Sequence, residues 1–429
     1  MSQDHRPDVD PALLRGLTVP RLTRRAAFRG VGVAALSALL AACDPKDRSR
    51  SVPPPAAASR AGGFWDRQTL AGTLNFANWP AYIDTDPVDG KTSLQRFTDA
   101  TGIKVRYREV IQDNDSFLRE ILPALRAGRD TGWDLMVLTN GGSLEKLIRQ
   151  GFLQELDLSR MPNFNRFAAP EFKSPSYDPG NRHSVAWQAG IIGIAYNPGL
   201  TGRQITSFED LFDSRFKGRV GMLGDSVDLP NFTMVGMGIN PETSTEDDWR
   251  RAADRLRQQR DRGIVRGYVD NVLEIRGLES GSLWLSMAYS GDVLQANTWL
   301  QKTGKGAEIK FVVPREGAML WTDNMCIPLR ARHPLDALTY MDFVYQPSIA
   351  AQLAEFIRYV TPVQDAAKRE MQRQIPTAAP DRRKALEVSV EDPMIFPSPS
   401  DLARTHRYRV LTDDEEKVWN RIFEPIVQA

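Results

Sequence analysis

From residue 72 onward, the chain alternates between short apolar segments and amphipathic helices, and this alternation limits the folds that it can adopt. The segments "IKVRYREV" and "WDLMVL" have the composition of strands, whereas "DSFLREILPALRAG" between them has apolar residues at helical spacing. Strands that are separated by helices of this length favour a largely parallel sheet with helices on both faces. The expected fold class is therefore α/β.

One long extended segment, "SVAWQAGIIGIAYN" at residues 184–197, interrupts the alternation, which then restarts. This pattern predicts two α/β lobes that are joined near residues 185–190 and again near residues 320–325. Because loops at the carboxyl ends of strands form the binding crevice of open α/β sheets, we expect the lobes to face each other across a ligand cleft. The predicted boundaries are 71–187 with 322–355 for lobe 1, and 188–321 with 356–429 for lobe 2.

Two of the predicted helices carry clear local signals. "SLQRFTDATG" ends at Gly102, which is a predicted helix C-cap. In "EDDWRRAADRLRQQRDRG", four apolar residues fall on one face: Trp249, Ala252, Ala253 and Leu256. We expect this face to be buried and the arginines on the other face to lie in solvent.

The N-terminal residues carry export signals. The pair Arg24 and Arg25 precedes the apolar run "VGVAALSALLAA", which is shorter than the roughly 20 residues that a helix needs to span a bilayer. Residues 1–43 are therefore a predicted signal peptide that resembles a twin-arginine signal, and "LAAC" resembles a lipobox ending at Cys43. An ordinary secretory signal with a chance cysteine is the alternative.

The segment after Cys43 has nothing to bury. Residues 44–70 are rich in proline, alanine, serine and charge, and they are a predicted tether. The expected location is outside the cytoplasm, periplasmic or at the cell surface, with a lipid on Cys43 anchoring the protein to the outer face of the cytoplasmic membrane.

Charge and absent motifs exclude several functions. The formal net charge of the 429 residues is +1, so nothing in the totals indicates a nucleic-acid partner. The two cysteines, Cys43 and Cys326, and the four widely spaced histidines do not match a zinc site, and no metal or cofactor is expected. The sequence has no P-loop and no Gly-x-Ser-x-Gly motif, so we expect no enzyme. A hydrolase that uses Asp225 or Ser226 is the alternative, and it would need a nearby histidine.

Asp323 lies within "GAMLWTDNMCIP", which otherwise reads as a buried strand. A carboxylate among apolar neighbours is costly unless a cation or a hydrogen-bond donor meets it. The partner of Asp323 is therefore either an internal arginine or lysine, or a ligand.

Several stretches together resemble the bacterial spermidine/putrescine-binding proteins of ABC importers: "NFANWPAYI", "TGIKVRY", "WDLMVLT", "SFEDLFDSRFKGRV", "LWTDNMCIP" and "RYVTPV". The resemblance covers roughly residues 70–370. It implies a two-lobed, periplasmic-binding-protein-like fold with a hinge and an interlobe cleft. It also implies a monomeric receptor that captures a polyamine and delivers it to ABC permease subunits.

The resemblance implies ligand-binding roles for eight residues. Aromatic contacts with the ligand chain are expected from Trp79, Tyr82, Tyr289, Trp321 and Tyr359, and carboxylates for its amines from Asp225, Asp228 and Asp323. Aromatic faces attract cations and bury methylenes, and carboxylates form charge-assisted hydrogen bonds, so these residue types suit a polyamine.

This chain departs from the family pattern at several positions. Gly141 and Gly142 stand where the family often has aromatic residues, Tyr289 replaces a tryptophan, and Asp228 replaces a glutamate. The aromatic box is therefore expected to be thinner. Asp292 is either a further ligand carboxylate or a helix N-cap.

Other interpretations of the same residues stay open. The aromatic residues could be ordinary core or rim residues, and Asp225 and Asp228 could form a turn or cap a helix. On the same fold, the ligand could be another organic cation or a sugar, and the protein could be a sensor rather than a transport receptor.

Overall fold

The computed structural model describes residues 61–85, 90–269, 271–304 and 306–428. Arg24, Arg25, Cys43 and most of the predicted tether lie outside these residues. Within the described ranges, no helix is both long enough and apolar enough to cross a membrane. The same ranges contain no cluster of three or more His, Cys, Asp or Glu residues that is arranged to hold a metal ion.

The described strands form one mixed sheet in the order β2-β1-β3-β9-β4-β7-β5-β6, with β8 paired to β4 and β10 paired to β9. The strands are β1 (Thr73–Asn78), β2 (Lys104–Glu109), β3 (Leu135–Thr139), β4 (Ser184–Tyr196), β5 (Val220–Leu223), β6 (Val265–Val269), β7 (Leu285–Tyr289), β8 (Lys310–Val312), β9 (Ala318–Cys326) and β10 (Thr405–His406).

Helices connect these strands and follow the last long one. They are α1 (Ala61–Trp65), α2 (Ser93–Thr101), α3 (Asn114–Arg126), α4 (Ser143–Arg149), α5 (Pro162–Phe167), α6 (Pro198–Thr201), α7 (Asp228–Gly236), α8 (Glu246–Asp261), α9 (Asn271–Ser280), α10 (Ser290–Thr303), α11 (Pro334–Phe343), α12 (Pro347–Ile357), α13 (Gln364–Gln374), α14 (Pro380–Glu391), α15 (Pro399–Leu402) and α16 (Asp413–Val427). Short 3-10 turns lie at Leu158–Arg160, Pro170–Phe172, Phe208–Phe212, Ser214–Phe216, Pro241–Thr243 and Ile375–Thr377.

The sheet is parallel within each lobe and antiparallel where the lobes join. In lobe 1, β1 pairs in parallel with β2 and β3, and in lobe 2, β5 pairs in parallel with β6 and β7. The long strands β4 and β9 run antiparallel to each other, with an irregularity between Ala186 and Gln188. The expected two-lobed α/β fold is confirmed, and the sheet is mixed because β4 and β9 cross between the lobes in opposite directions.

The local helix signals also hold in the structure. Gly102 is the C-cap of α2 with φ 76°, a left-handed conformation that suits glycine. The apolar face of α8 is buried as expected, at Trp249, Ala252, Ala253 and Leu256.

Residues 405–428, here called the C-terminal bridge, contact both lobes. In lobe 2, α16 packs on α8 with the rings of Trp419 and Trp249 5.2 Å apart. In lobe 1, α4 forms ion pairs with α16, at 2.8 Å between Arg149 and Asp413 and at 3.2 Å from Lys146 to Glu416. This bridge therefore spans the cleft.

Helices α13 and α14 were expected in lobe 2, yet they pack in succession on α12, which contacts α2 of lobe 1. An ion pair of 3.1 Å between Arg382 of α14 and Glu355 of α12 joins them. The lobe boundaries given above stay a prediction.

Asp336 in the first turn of α11 fixes the start of the sheet. Its fully buried carboxylate accepts hydrogen bonds from the backbone N–H groups of Ala71, Gly72 and Thr73 at 2.8–3.1 Å. Replacing it with alanine leaves these donors without a partner, so we expect Asp336→Ala to lower the free energy of unfolding by about 3 kcal/mol.

Urea unfolding measures this effect. Asp381, which is an exposed acid in the first turn of α14, is the matched control, and Asp381→Ala should cost less than about 1 kcal/mol. Equal effects of the two substitutions would contradict the anchoring role of Asp336.

Candidate ligand-binding site

Trp321 lies on β9 and its ring packs against a glycine of the neighbouring strand. Its register partner on β4 is Gly190, and a Cβ atom on Gly190 would lie 2.2 Å from Cζ2 of Trp321. The indole is 7% exposed, and its buried Nε1 has no hydrogen-bond partner among the described residues. Gly190 therefore provides the space in which the indole sits.

Four of the expected aromatic residues, including Trp321 itself, form one connected cluster of rings. Ring centroids are 5.8 Å apart for Trp321 and Tyr289, 5.1 Å for Trp321 and Tyr359, and 6.0 Å for Tyr359 and Tyr82. Tyr359 also needs a glycine neighbour, because a Cβ atom on Gly291 would lie 2.5 Å from its ring. These contacts join the loop after β1, the end of β7, β9 and the segment after α12.

Trp79 forms hydrogen bonds with residues outside this aromatic cluster. Its Nε1 donates to the backbone oxygen of Val137 at 3.1 Å, and its own backbone oxygen accepts from the hydroxyl of Tyr107 at 3.3 Å. The indole is half-buried, so its ring, and not its N–H group, is what it offers to a ligand.

Asp323 meets a hydroxyl group from lobe 1. Its Oδ1 accepts a hydrogen bond from Thr139 of β3 at 2.6 Å, and the residue is 5% exposed. In the sheet register, Asp323 stands opposite Thr139 on one side and Gln188 of β4 on the other. The side chains of such cross-strand partners share one face of a sheet.

Gln188 is a polar residue that sequence reasoning missed. It is 2% exposed, and its buried Oε1 accepts no hydrogen bond from the described residues. A buried amide oxygen without a donor is costly. Gln188 therefore places an unused acceptor beside Asp323.

Asp225 forms the turn that begins α7. Its Oδ1 accepts hydrogen bonds from the backbone N–H groups of Val227 and Asp228, both at 2.7 Å, which matches the capping interpretation left open above. Its side chain is nevertheless exposed, and Oδ2 accepts no hydrogen bond from the described residues. One oxygen of Asp225 thus holds the helix, and the other is available to a ligand.

Asp228 is held by two tyrosines. The hydroxyl of Tyr289 donates to its Oδ2, and the hydroxyl of Tyr408 donates to its Oδ1. Removal from water, followed by the nearby charge of Asp225, raises the pKa of Asp228 to about 7, and the two tyrosine hydrogen bonds oppose this rise.

Tyr408 of the C-terminal bridge is the second residue that sequence reasoning missed. Its ring lies over Gly141, where an added Cβ atom would be 3.0 Å from Cδ2 of the tyrosine. Gly141 has φ +102°, which also favours glycine. A tyrosine from a distant part of the chain therefore covers Gly141.

Further carboxylates lie near this part of the cleft. Although the side chain of Asp225 is exposed, the protein groups around it partly remove its carboxylate from water and raise its pKa, and the charges of Asp115 and Asp113 at the start of α3 raise it further. Asp292 lies in the first turn of α10 and accepts a hydrogen bond from the hydroxyl of Tyr359 at 2.8 Å. The N-cap alternative for Asp292 is wrong, because Tyr289 occupies the N-cap position.

The hydrolase alternative gains no support from the described residues. His183 hydrogen-bonds to Asp178, and His333 hydrogen-bonds to Asp134. In the described part of the chain, no histidine is hydrogen-bonded to Asp225 or to Ser226. A serine nucleophile without a base is not activated.

Comparison with known proteins agrees with this fold and cleft. The profile of the bacterial extracellular solute-binding protein family matches residues 132–387. The chain belongs to this family, which confirms the expected class: a solute-binding protein of the extracellular or periplasmic type.

Curated relatives and a solved structure narrow the comparison. The chain is 28% identical to the putrescine-binding periplasmic protein SpuD of Pseudomonas aeruginosa over 301 residues, 67% of this chain and 77% of that protein. It is 27% identical to spermidine/putrescine-binding periplasmic protein 1 of Haemophilus influenzae over 373 residues, 86% and 90% of the two chains. The crystal structure of the substrate-binding protein PotD from Streptococcus pneumoniae has the same fold, with TM-score 0.65, 21% identity, and 83% and 98% coverage.

The contact between Gly190 and Trp321 generates a prediction. The methyl group of Gly190→Ala would force the indole out of its place, so we expect a loss of about 1–3 kcal/mol in the free energy of unfolding. We also expect a changed near-UV circular dichroism spectrum. Gly199→Ala is the control, because its Cβ atom would meet only Oδ1 of Asn197, at 3.4 Å. An unchanged spectrum for Gly190→Ala would contradict this seating.

The raised pKa of Asp228 generates a second prediction. The ordinary pKa of aspartate is about 3.9, so the folded protein binds this proton more tightly than the unfolded chain does. The contribution of Asp228 to stability is therefore greatest below about pH 4 and falls as the pH rises towards 7.

Thermal unfolding of the ligand-free protein from pH 4 to pH 8 checks the sign. The melting temperature of the wild-type protein minus that of Asp228→Asn should fall as the pH rises through this range. The melting temperature of Asp381→Asn should change with pH in the same way as that of the wild type. A constant difference between wild type and Asp228→Asn at every pH would contradict the raised pKa.

Proposed function

We propose that this protein is an extracytoplasmic receptor that captures a polyamine of the spermidine/putrescine class and delivers it to the permease of an ABC importer. The observation that carries the proposal is the gathering of carboxylates and aromatic rings from both lobes around one cleft. The residues are Tyr82, Asp225, Asp228, Tyr289, Trp321, Asp323 and Tyr359, with Trp79 beside them. The names of the curated relatives support the same class of ligand.

The chemistry of the cleft suits a chain of methylenes that carries ammonium groups. Asp323 and Oδ2 of Asp225 offer negative charge, and Oε1 of Gln188 offers a neutral acceptor beside Asp323. The rings of Trp321 and Tyr359 stand edge-on at 62°, so they present both faces and edges to an alkyl chain. Each face attracts a cation by about 0.5–2 kcal/mol.

Binding requires closure and no chemical step. In the proposed cycle, water solvates the acids of the open cleft, and the ligand then contacts both lobes and stabilises the closed state. The strands β4 and β9 serve as the hinge, because they are the crossing strands of the sheet. The closed form docks on the permease.

The export route belongs to the proposal as well. The protein would leave the cytoplasm through the signal that contains Arg24 and Arg25, and a lipid on Cys43 would hold it on the outer face of the cytoplasmic membrane. The proline-rich tether would let a monomeric receptor reach the permease.

A thermal-shift screen with putrescine, spermidine, spermine, agmatine and several sugars tests the ligand class. A ligand that binds only the folded state raises the melting temperature in a saturable way. We expect this rise with at least one polyamine. A rise with a sugar alone would overturn the proposed ligand.

Asp323→Asn tests the role of the central carboxylate. We expect the affinity for the polyamine identified in the screen to fall at least tenfold in isothermal titration calorimetry, because one charge-assisted hydrogen bond is lost. Asp381→Asn, which removes an exposed carboxylate outside the cleft, should change the affinity less than twofold. An unchanged affinity for Asp323→Asn would rule out this role.

A further inference from the structure

The carboxylate of Asp228 already has two donors from within the protein. Each of its oxygens accepts one phenolic hydroxyl, from Tyr289 and from Tyr408. These donors are neutral, so they satisfy the hydrogen bonding of Asp228 without bringing positive charge into the cleft. A ligand ammonium that approaches Asp228 would meet two phenol groups and two engaged oxygens.

Packing holds both tyrosines in place. The ring of Tyr289 stands at 86° to that of Trp321, with centroids 5.8 Å apart. Tyr408 is 4% exposed, and its ring lies so close to Gly141 that even a methyl group there would be in tight contact. Neither ring can turn away from Asp228 without disturbing a packed neighbour.

The C-terminal bridge fixes the backbone on both sides of Tyr408. Nη1 of Arg407 donates to Oγ1 of Thr322 on β9 at 3.4 Å, and Nη2 of Arg409 pairs with Oε1 of Glu415 at 2.7 Å. Tyr408 is therefore held in a fixed position in the cleft.

The other acceptors of the cleft are arranged differently. Oδ2 of Asp225 and Oε1 of Gln188 accept no hydrogen bond from the described residues. Gln188 stands beside Asp323, whereas Asp225 lies next to the acids at the start of α3. These groups mark two positions for ammonium groups that do not use the carboxylate of Asp228.

We infer that the Tyr289–Asp228–Tyr408 arrangement fills one amine position with the protein's own hydroxyl groups, so that the cleft prefers a diamine to a triamine or a tetraamine. This inference rests on the proposed function, because it names the ligand subclass of the same cleft. A third ammonium group at Asp228 would give up its water for a carboxylate whose two oxygens each already accept a hydrogen bond.

Isothermal titration calorimetry with putrescine, a diamine, and spermidine, a triamine, tests the inference. We expect the wild-type protein to bind putrescine at least as tightly as spermidine. Tyr408→Phe and Tyr289→Phe each keep the ring and remove one donor from Asp228. Each should raise the affinity for spermidine relative to putrescine about tenfold, because an oxygen becomes available to an ammonium group.

Tyr345→Phe is the control for loss of a buried hydroxyl. Tyr345 donates to the backbone oxygen of Ala186, and among the described residues no hydrogen bond joins it to Asp228. The ratio of the affinities of Tyr345→Phe for spermidine and putrescine should stay within twofold of the wild-type ratio. Circular dichroism checks the folding of each variant, and two separate tyrosines keep the comparison possible if one variant fails to fold.

Two results would overturn the inference. One is a wild-type protein that binds spermidine more than tenfold tighter than putrescine. The other is a ratio that stays unchanged in both folded phenylalanine variants. If the wild type binds neither amine, the proposed function fails with it, whereas binding of both amines with an unchanged ratio counts against this inference alone.

Discussion

The antiparallel pairing of β4 with β9 is the interaction on which the rest of the structure depends. The two strands are paired from Ser184 opposite Cys326 to Ile192 opposite Met319. One end of this ladder continues into β3 of lobe 1, and the other end continues into β7 of lobe 2. Asp323, Trp321 and Gln188 all lie on it. In the proposed cycle these groups therefore lie on the hinge strands, where displacement on closing would be smallest.

Asp225 and Tyr408 lie on segments outside the ladder of β4 and β9. If the lobes close about that ladder, as proposed, these two residues would move more than Asp323 and Trp321 do. The proposed cleft thus combines a fixed centre with a movable rim, and closure would bring the rim to a ligand that contacts the centre.

Much of the fold could be predicted from the sequence because its signals are local. Helical spacing identified the buried face of α8, and the long apolar segment identified β4 as a crossing strand. Asp323 stood out because it is a charge within an apolar strand. Tyr408 and Gln188 carried no such signal, since nothing in "THRYRV" or "AWQAG" indicates a neighbour far away in the sequence.

The hydrogen bonds of Asp228 also show a limit of prediction from the sequence. Its position after β5 predicted a cleft residue, and in the structure its carboxylate accepts hydrogen bonds from Tyr289 and Tyr408. Its two tyrosine partners lie 61 and 180 residues away, so only the folded chain shows that its oxygens are engaged. Long-range packing decides which acids of the cleft remain available.

The C-terminal bridge makes the cleft depend on residues that lie far along the chain from its other walls. Its residues supply Tyr408 to the cleft and tie α4 to α16. Every strand from β1 to β9 precedes them in the chain. A chain that has been clipped by a protease ahead of residue 405 would lose β10 and Tyr408, and with Tyr408 one wall of the proposed cleft. An intact C-terminal bridge is thus a condition for the proposed recognition, although the bridge lies outside residues 132–387, which the family profile matches.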